Sequence, residues 1–260
     1  MPVTLLGFSW DASSSYARGA AHGPAVIRTV LRTDASSPYS LNGTDTTQAV
    51  TAEDFAGLPT EAGEARMAIE ARVAEALETG APLSFGGDHS ITYPILRAMR
   101  ARYGKLNILH IDAHTDLYDE FEGDRYSHAS PFARAFEDEC VNALVQVGLR
   151  SVGPNERRFG ESRGAVMLGA DELDAIPFEK LTAPLYVSID LDGLDPAFAP
   201  GVSHPEPGGL STREVLSILK QLPTAPIGAD IVEYNPERDV GLATAHVAAR
   251  LAKELIATMS

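Results

Sequence analysis

Residues 106–116 read LNILHIDAHTD, an apolar run that leads directly into alternating Asp and His side chains. The run is bounded by turn residues and has the length of a buried strand, which we predict over 106–112. Strand side chains alternate between the two faces. Asp112, His114 and Asp116 should therefore leave the end of the strand on one side. The stretch predicts a buried strand that carries a cluster of ionisable groups at its carboxyl end.

A second stretch repeats this arrangement with carboxylates alone. An apolar run from Leu185 predicts a strand over 184–190, and Asp190 and Asp192 follow at its end, again on one face. His89 comes just after Gly86 and Gly87, where the backbone can bend sharply. Together the stretches supply four carboxylates and two imidazoles. That is too many ligands for one zinc site and suits two ions, because uncompensated carboxylates on one face would repel one another.

Alternation of strand-like and helical runs along the whole chain predicts an α/β protein with a mostly parallel sheet covered by helices. No repeat, low-complexity tract or linker interrupts it, so we predict a single domain over 1–260. In open α/β sheets, ligands bind at the carboxyl ends of the strands, where the motifs lie. The predicted runs are 3–8, 24–33, 62–79, 82–85, 91–102, 106–112, 131–139, 143–148, 165–168, 184–190, 211–221, 226–231 and 241–257.

Composition narrows the class of protein without identifying it. The formal net charge of −15 argues against nucleic acid or an anionic membrane as a partner and favours the approach of a cationic substrate. A single cysteine, Cys140, excludes an intrachain disulfide framework and fits a reducing compartment. The first residues, 1–8, have no basic segment and read as a strand rather than a signal peptide. We therefore expect a cytoplasmic location.

The motifs resemble those of the ureohydrolases, the family of arginase, agmatinase and formiminoglutamase, and agmatinase most of all. Besides the Asp-Ala-His-x-Asp and Ser-x-Asp-x-Asp elements, the resemblance includes segments along nearly the whole chain. It implies a three-layer αβα sandwich, assembly into homotrimers or homohexamers, and two Mn²⁺ ions per chain, with Ni, Fe or Zn as alternatives. The further matching segments are 10–11, 15–20, 23–28, 195–201, 208–210 and 230–236.

The resemblance also implies how the six ligands are shared between the two ions. Asp112 and Asp190 would bridge, and two divalent ions lower the pKa of a shared water so that hydroxide can attack a guanidinium carbon near neutral pH. One ion would be bound by His89, Asp112, Asp116 and Asp190, and the other by Asp112, His114, Asp190 and Asp192.

Two further residues match the catalytic machinery of the family, and with Asp116 they form our predicted catalytic set. His128 aligns with the histidine that shuttles a proton to the leaving amine, a task that its unperturbed pKa would suit. Glu233, after the apolar run 225–232, matches the glutamate that pairs with the substrate guanidinium.

The segment before His128 departs from arginases, in which a Ser-x-Asn element holds the α-carboxylate of arginine. Residues 118–124 are acidic instead, so Asp119 and Asp124 could receive the distal ammonium of agmatine. Arg125 or Arg150 could alternatively bind a carboxylate. We therefore predict hydrolysis of a small cationic guanidino compound, agmatine first, to an amine plus urea. The alternatives are a guanidino-acid hydrolase, a formiminoglutamase, and a non-catalytic metal-binding homologue.

Two other histidines lie near the motifs. His110 precedes Asp112 by two residues and faces the same side, which favours a supporting or core role over that of a seventh ligand. His204 stands where many relatives carry a small residue, so it could either shape the mouth of the pocket or shape only its own loop.

Overall fold

An eight-stranded parallel sheet forms the centre of the molecule, with strand order β2-β1-β3-β8-β7-β4-β5-β6. The computed structural model describes all residues, 1–260. Most central strands are buried on both faces, as parallel strands covered by helices require. The strands are β1 Val3–Phe8, β2 Val50–Asp54, β3 Ala81–Gly86, β4 Leu106–Ile111, β5 Val141–Leu149, β6 Val166–Gly169, β7 Leu185–Asp190 and β8 Gly228–Val232.

Helices cover both faces of the sheet and divide the apolar interior into two cores. One core lies between the sheet and α1, α7 and α8, and the other between the sheet and α3, α4 and α5. The predicted three-layer αβα fold is confirmed, with a sheet that is parallel throughout. The helices are α1 Gly23–Leu31, α2 Thr46–Ala49, α3 Ala62–Ala76, α4 Thr92–Tyr103, α5 Pro131–Glu137, α6 Pro154–Ser162, α7 Thr212–Lys220 and α8 Ala243–Met259.

Three elements do not correspond to any predicted run. Strand β2 is an edge strand without a fully buried residue, and its sequence, VTAED, lacks an apolar pattern. Helix α6 buries only Glu156 and Gly160 and is polar along most of its length. The four-residue helix α2 is too short to show a hydrophobic period. In each case little apolar surface is buried, and hydrophobic periodicity is the signal on which the prediction depends.

The order of the strands brings four distant segments together. Strand β8, the last in the chain, lies between β3 and β7, and β7 pairs with β4. Because the strands are parallel, the residues that follow β3, β8, β7 and β4 emerge at the same edge of the sheet. This edge carries every predicted metal ligand and Glu233.

Candidate metal centre and active site

His89 is positioned by a tight turn after β3. Asp88 caps this turn by accepting a hydrogen bond from the Ser90 backbone N–H, and the turn packs against the N-terminal segment. A Cβ atom at position 87 would lie 1.8 Å from the Trp10 carbonyl oxygen, so only glycine fits there. The result is a fully buried imidazole at the edge of the sheet.

Three carboxylates surround one nitrogen of this imidazole. His89 Nδ1 lies 2.9 Å from Asp116 Oδ2, 3.2 Å from Asp112 Oδ2 and 3.3 Å from Asp190 Oδ2. The nitrogen is buried and takes part in no hydrogen bond. The structure thus brings together the four residues predicted for the first ion.

A second group of ligand atoms adjoins the first. His114 Nδ1 lies 3.2 Å from Asp192 Oδ2 and 3.4 Å from Asp112 Oδ1. Asp112 therefore points one oxygen into each group, as a bridging ligand would. The Asp190 Oδ1 atom instead accepts a hydrogen bond from the Asp192 backbone N–H at 2.7 Å, and its Oδ2 faces His89.

The carboxylates of this site carry negative charge that no neighbouring, permanently cationic side chain balances. No Lys or Arg lines the cavity above it. Burial and the neighbouring Asp192 and Asp112 raise the pKa of Asp190 well above its usual range. Burial alone would lower the pKa of His89, but Asp112, Asp116 and Asp190 raise it well above the ordinary value. Oxygen-rich ligands around an unpartnered imidazole nitrogen suit divalent cations, so the residues present fit a binuclear metal centre.

Glu233 follows β8 and turns into the same cavity. Its backbone is left-handed, with φ of 63°, an uncommon conformation for a residue other than glycine. Glu233 Oε1 accepts a hydrogen bond from the His89 N–H at 2.9 Å, whereas Oε2 is buried without a partner. Burial, with Asp88 and Asp192 nearby, raises the pKa of Glu233 well above its usual value. One oxygen is therefore available to a cationic ligand in the cavity.

His128 lies across the cavity from the metal ligands. Its Nδ1 is 3.7 Å from Glu233 Oε1, and its Nε2 shares a hydrogen bond of 3.0 Å with the Ser15 hydroxyl. Burial and the imidazoles of His204 and His114 lower its pKa to about 3. The expectation of an unperturbed pKa was wrong, because the sequence shows neither the burial nor the neighbouring imidazoles.

The cavity has a volume of about 200 Å³ and an outer wall without formal charges. His204 lies on this wall and stacks on His128, with ring centroids 5.2 Å apart. The side chains of His204, Ser151 and Tyr118 make no hydrogen bond to the protein and are free to contact a ligand. Ser15, Tyr118, Phe121 and Ser151 also line the cavity, because separate loops fold over it, but none of the four was among the predicted site residues.

The predicted substrate-binding residues of the acidic loop do not reach the cavity. Asp119 is exposed and accepts hydrogen bonds from Arg125 at 2.8 Å and from Arg134 at 2.9 Å, which lower its pKa. Arg125 also contacts Glu137, and Asp124 accepts a hydrogen bond from the Tyr126 N–H. None of the three lines the cavity. Asp119 and Arg125 belong to a surface ion-pair network, and Asp124 holds a turn of the loop, so none of the three is a substrate contact.

Arg150 is also unavailable to a substrate carboxylate. Its guanidinium donates to the carbonyl oxygens of Glu206 at 2.9 Å, Gly148 at 2.8 Å and Leu194 at 3.2 Å. These bonds fasten the loop after β7 beneath the site. The alternative in which Arg150 binds an acid substrate is therefore contradicted.

Comparison with known proteins agrees with the fold. The profile of the Arginase family matches residues 1–258. "Arginase 1, mitochondrial" of Arabidopsis thaliana is 39% identical over 99% of this chain and 81% of its own length. The N(1)-aminopropylagmatine ureohydrolase of Thermus thermophilus is 35% identical over 90% of this chain and 83% of its own.

Among solved structures, the arginase from Medicago truncatula superposes with a TM-score of 0.92 at 37% identity, covering 99% of this chain and 87% of that one. No helix of the protein is long and apolar enough to span a bilayer. With its parallel sheet, its two adjoining ligand groups and a family match along almost its entire length, the chain belongs to the arginase family of ureohydrolases.

Proposed function

We propose that this protein hydrolyses a guanidino compound to urea and an amine at a binuclear metal centre. The observation that carries the proposal is a pair of unpartnered buried atoms at one cavity: His89 Nδ1 lies against Asp116 and Asp190, which line it, and Glu233 lines it directly. His89 Nδ1 faces three carboxylates and is available to a metal ion, whereas Glu233 Oε2 is available to a guanidinium group. A non-catalytic homologue would have no need of the second atom.

The proposed roles follow from the positions of the side chains. His89, Asp112, Asp116 and Asp190 would hold one ion, and Asp112, His114 and Asp192, with Asp190, the other. When bound, the two ions supply a water of lowered pKa as the nucleophile. Glu233 would hold the guanidinium carbon in place through a charge-assisted hydrogen bond. His128, neutral at working pH, would take up a proton and deliver it to the leaving amine.

For the distal end of the substrate, the outer wall offers only neutral hydrogen-bonding groups, His204, Ser151 and Tyr118. A tail with a net negative charge would find no cation there, which disfavours guanidino acids and formiminoglutamate. We propose an agmatine-like substrate, as the acidic protein favours a cation. Arginine is the second candidate, because the plant relatives carry the name arginase.

The test is a substrate panel with the metal-loaded protein. Agmatine, arginine, 4-guanidinobutyrate and formiminoglutamate are compared by kcat/KM, with urea and formamide measured separately. We expect urea from agmatine or arginine and at least about tenfold lower kcat/KM for the two acids, since an uncompensated carboxylate in the cavity is unfavourable. Formamide as the main product, or no product from any of the four, would contradict the proposal.

Four further properties belong to the same proposal. Manganese as the native metal is tested by elemental analysis of protein purified without added metal, and a homotrimeric or homohexameric state by light scattering. A cytoplasmic location is tested by cell fractionation. A single catalytic domain over 1–260 is tested by calorimetry, which should give one cooperative transition.

A further inference from the structure

A row of polar side chains crosses four neighbouring strands of the sheet directly beneath the ligands. Asp230 of β8 is in register with Ser188 of β7, Ser188 with His110 of β4, and His110 with Gln146 of β5. All four are fully buried. Ser188 and His110 precede the ligands Asp190 and Asp112 by two positions, so they face the same side of the sheet. We call Asp230, Ser188, His110 and Gln146 the polar row.

One half of the polar row acts on His89. The Ser188 hydroxyl donates to Asp230 Oδ1 at 2.6 Å, and His89 Nε2 lies 2.9 Å from the same hydroxyl oxygen. Because the only hydrogen of this hydroxyl is directed at Asp230, Ser188 must accept from His89 Nε2–H. The proton of a neutral His89 therefore resides on Nε2. Its Nδ1 keeps a free lone pair, which faces the three carboxylates.

The other half of the polar row directs the proton of His110 toward the ligands, whereas the proton of His89 is directed away from them. Gln146 Nε2 donates to the Thr115 carbonyl oxygen at 2.7 Å, which fixes the orientation of the amide. The same nitrogen lies 2.8 Å from His110 Nδ1, so this ring nitrogen must accept. His110 Nε2 then carries the proton and donates to Asp112 Oδ2 at 2.8 Å. His110 lies close enough to three predicted ligands to be taken for a further one, but its nitrogen nearest to them is occupied by this hydrogen.

We propose that the polar row decides which imidazole binds metal, by making His89 an acceptor toward the ion and His110 a donor toward Asp112. Ser188 and Asp230 are then positioning residues for His89, and Gln146 is a positioning residue for His110. The inference rests on the proposed binuclear centre and extends it from the ligands to the residues that orient them. Hydrogen-bond partners of metal-binding histidines commonly change metal affinity by about 10- to 100-fold when they are removed.

Asp230 supplies a matched set of variants. It accepts hydrogen bonds from three hydroxyls, those of Ser188, of Tyr186 at 2.7 Å and of Thr92 at 2.9 Å, but only Ser188 also contacts His89. Removing any one of the three takes one donor from the same buried carboxylate. Ser188→Ala therefore tests the connection to His89, while Tyr186→Phe and Thr92→Val report the general effect of a lost donor.

The measurement is the affinity for Mn²⁺, by competition with a fluorescent chelator and by electron paramagnetic resonance, without substrate. We expect Ser188→Ala to bind at least one ion about 10- to 100-fold more weakly. Ser188→Thr, which restores a hydroxyl, should recover most of the loss. Ser188→Cys keeps the side-chain shape but replaces the hydroxyl with a thiol, which accepts hydrogen bonds poorly. If Ser188→Ala does not fold, Ser188→Cys takes its place and should show the same loss of affinity. Tyr186→Phe and Thr92→Val should keep wild-type affinity.

The role of His110 is tested by His110→Asn beside His89→Asn. Asparagine can still donate to Asp112, so we expect two bound ions in the first variant and at most one in the second. Equal loss in both variants, unchanged affinity in Ser188→Ala and Ser188→Cys, or an equal loss in Tyr186→Phe would overturn the inference. A wild-type protein that binds no ion would instead overturn the proposed function, so the two failures are distinguishable.

Discussion

The cluster of metal ligands around His89, which we call the cavity floor, and the loop 118–125 are both rich in carboxylates. The carboxylates have opposite roles in the two regions. On the floor, Asp112, Asp116 and Asp190 are buried around a nitrogen that has no partner. In the loop, Asp119 is exposed and already holds two guanidinium groups. Charge without a partner marks the region where a ligand is required. Charge that is already neutralised within the protein marks a structural contact, however acidic the sequence is.

The largest effect is expected from the same change, Asp to Asn, made on the floor. Asp112→Asn removes the charge shared by the two ligand groups, so the variant should bind fewer than two ions per chain and lose measurable urea release. Elemental analysis and a urea assay measure both. The control is Asp119→Asn in the loop, which should keep both ions. Two ions retained in Asp112→Asn would show that Asp112 does not bridge.

The next effect concerns His128 on the cavity wall. His128→Asn should retain both ions but lower kcat by about 10²–10⁴, the usual contribution of a general acid or base. His246→Asn, at an exposed position outside the cavity, is the matched control and should leave kcat unchanged. Wild-type turnover in His128→Asn would remove this residue from the catalytic set.

Glu233→Gln should lower kcat/KM by about 10- to 150-fold, mainly through a higher KM. The substituted amide can still accept from the His89 N–H, so the fold is kept, while a charge-assisted bond of about 1.5–3 kcal/mol to the guanidinium is lost. Steady-state kinetics with agmatine and arginine measure the change. An unchanged KM for both would place the guanidinium elsewhere in the cavity.

The pH profile of kcat/KM distinguishes ionisation of His128 from ionisation of the nucleophilic water. Because burial and neighbouring imidazoles lower the pKa of His128 to about 3, its folded form is neutral throughout the working range. The rise of kcat/KM with pH should therefore come from ionisation of the nucleophilic water, and His128→Asn should lower the profile without moving its midpoint. A midpoint displaced in the variant would assign the ionisation to His128.

Folding stability should also report the lowered pKa of His128. In the unfolded chain this histidine takes up a proton below about pH 6.5, but in the folded protein it does so only near pH 3. The unfolded state thus binds more protons in this window, and its contribution makes stability rise with pH. Denaturant titrations should find that His128→Asn loses less stability than the wild type between pH 7 and pH 5.

The smallest effect is expected in the loop. Asp119→Lys and Arg125→Ala break ion pairs of the surface loop, outside the cavity, and exposed pairs contribute little to stability. Kinetic constants for agmatine and for 4-guanidinobutyrate should stay within about twofold of wild type. A selective increase of KM for agmatine in Asp119→Lys would reinstate the loop as a substrate site.

The contrast also shows what the sequence could predict. Apolar runs followed by Asp and His at alternate positions predicted the central strands, because strand side chains alternate between faces. Parallel pairing of those strands then placed the six predicted ligands at one edge of the sheet. The ion pair of Asp119 with Arg134 could not be predicted, since Arg134 lies on α5 and only the folded loop brings the two residues together. The polar row could not be predicted, because it depends on which residues of neighbouring strands lie side by side. Alternation along each strand could have indicated only which face of the sheet Ser188 and Gln146 occupy.

The position of β8 has a consequence for biosynthesis. This strand is among the last elements to leave the ribosome, yet it alone joins the half-sheet β2-β1-β3 to the half-sheet β7-β4-β5-β6. Until residues 228–233 emerge, β3 and β7 each present an open edge to other chains in the cell. The nascent protein can neither close its sheet nor receive Glu233 beside His89. Metal loading should therefore be a late, post-translational event, and an interrupted translation product should be a target for chaperones.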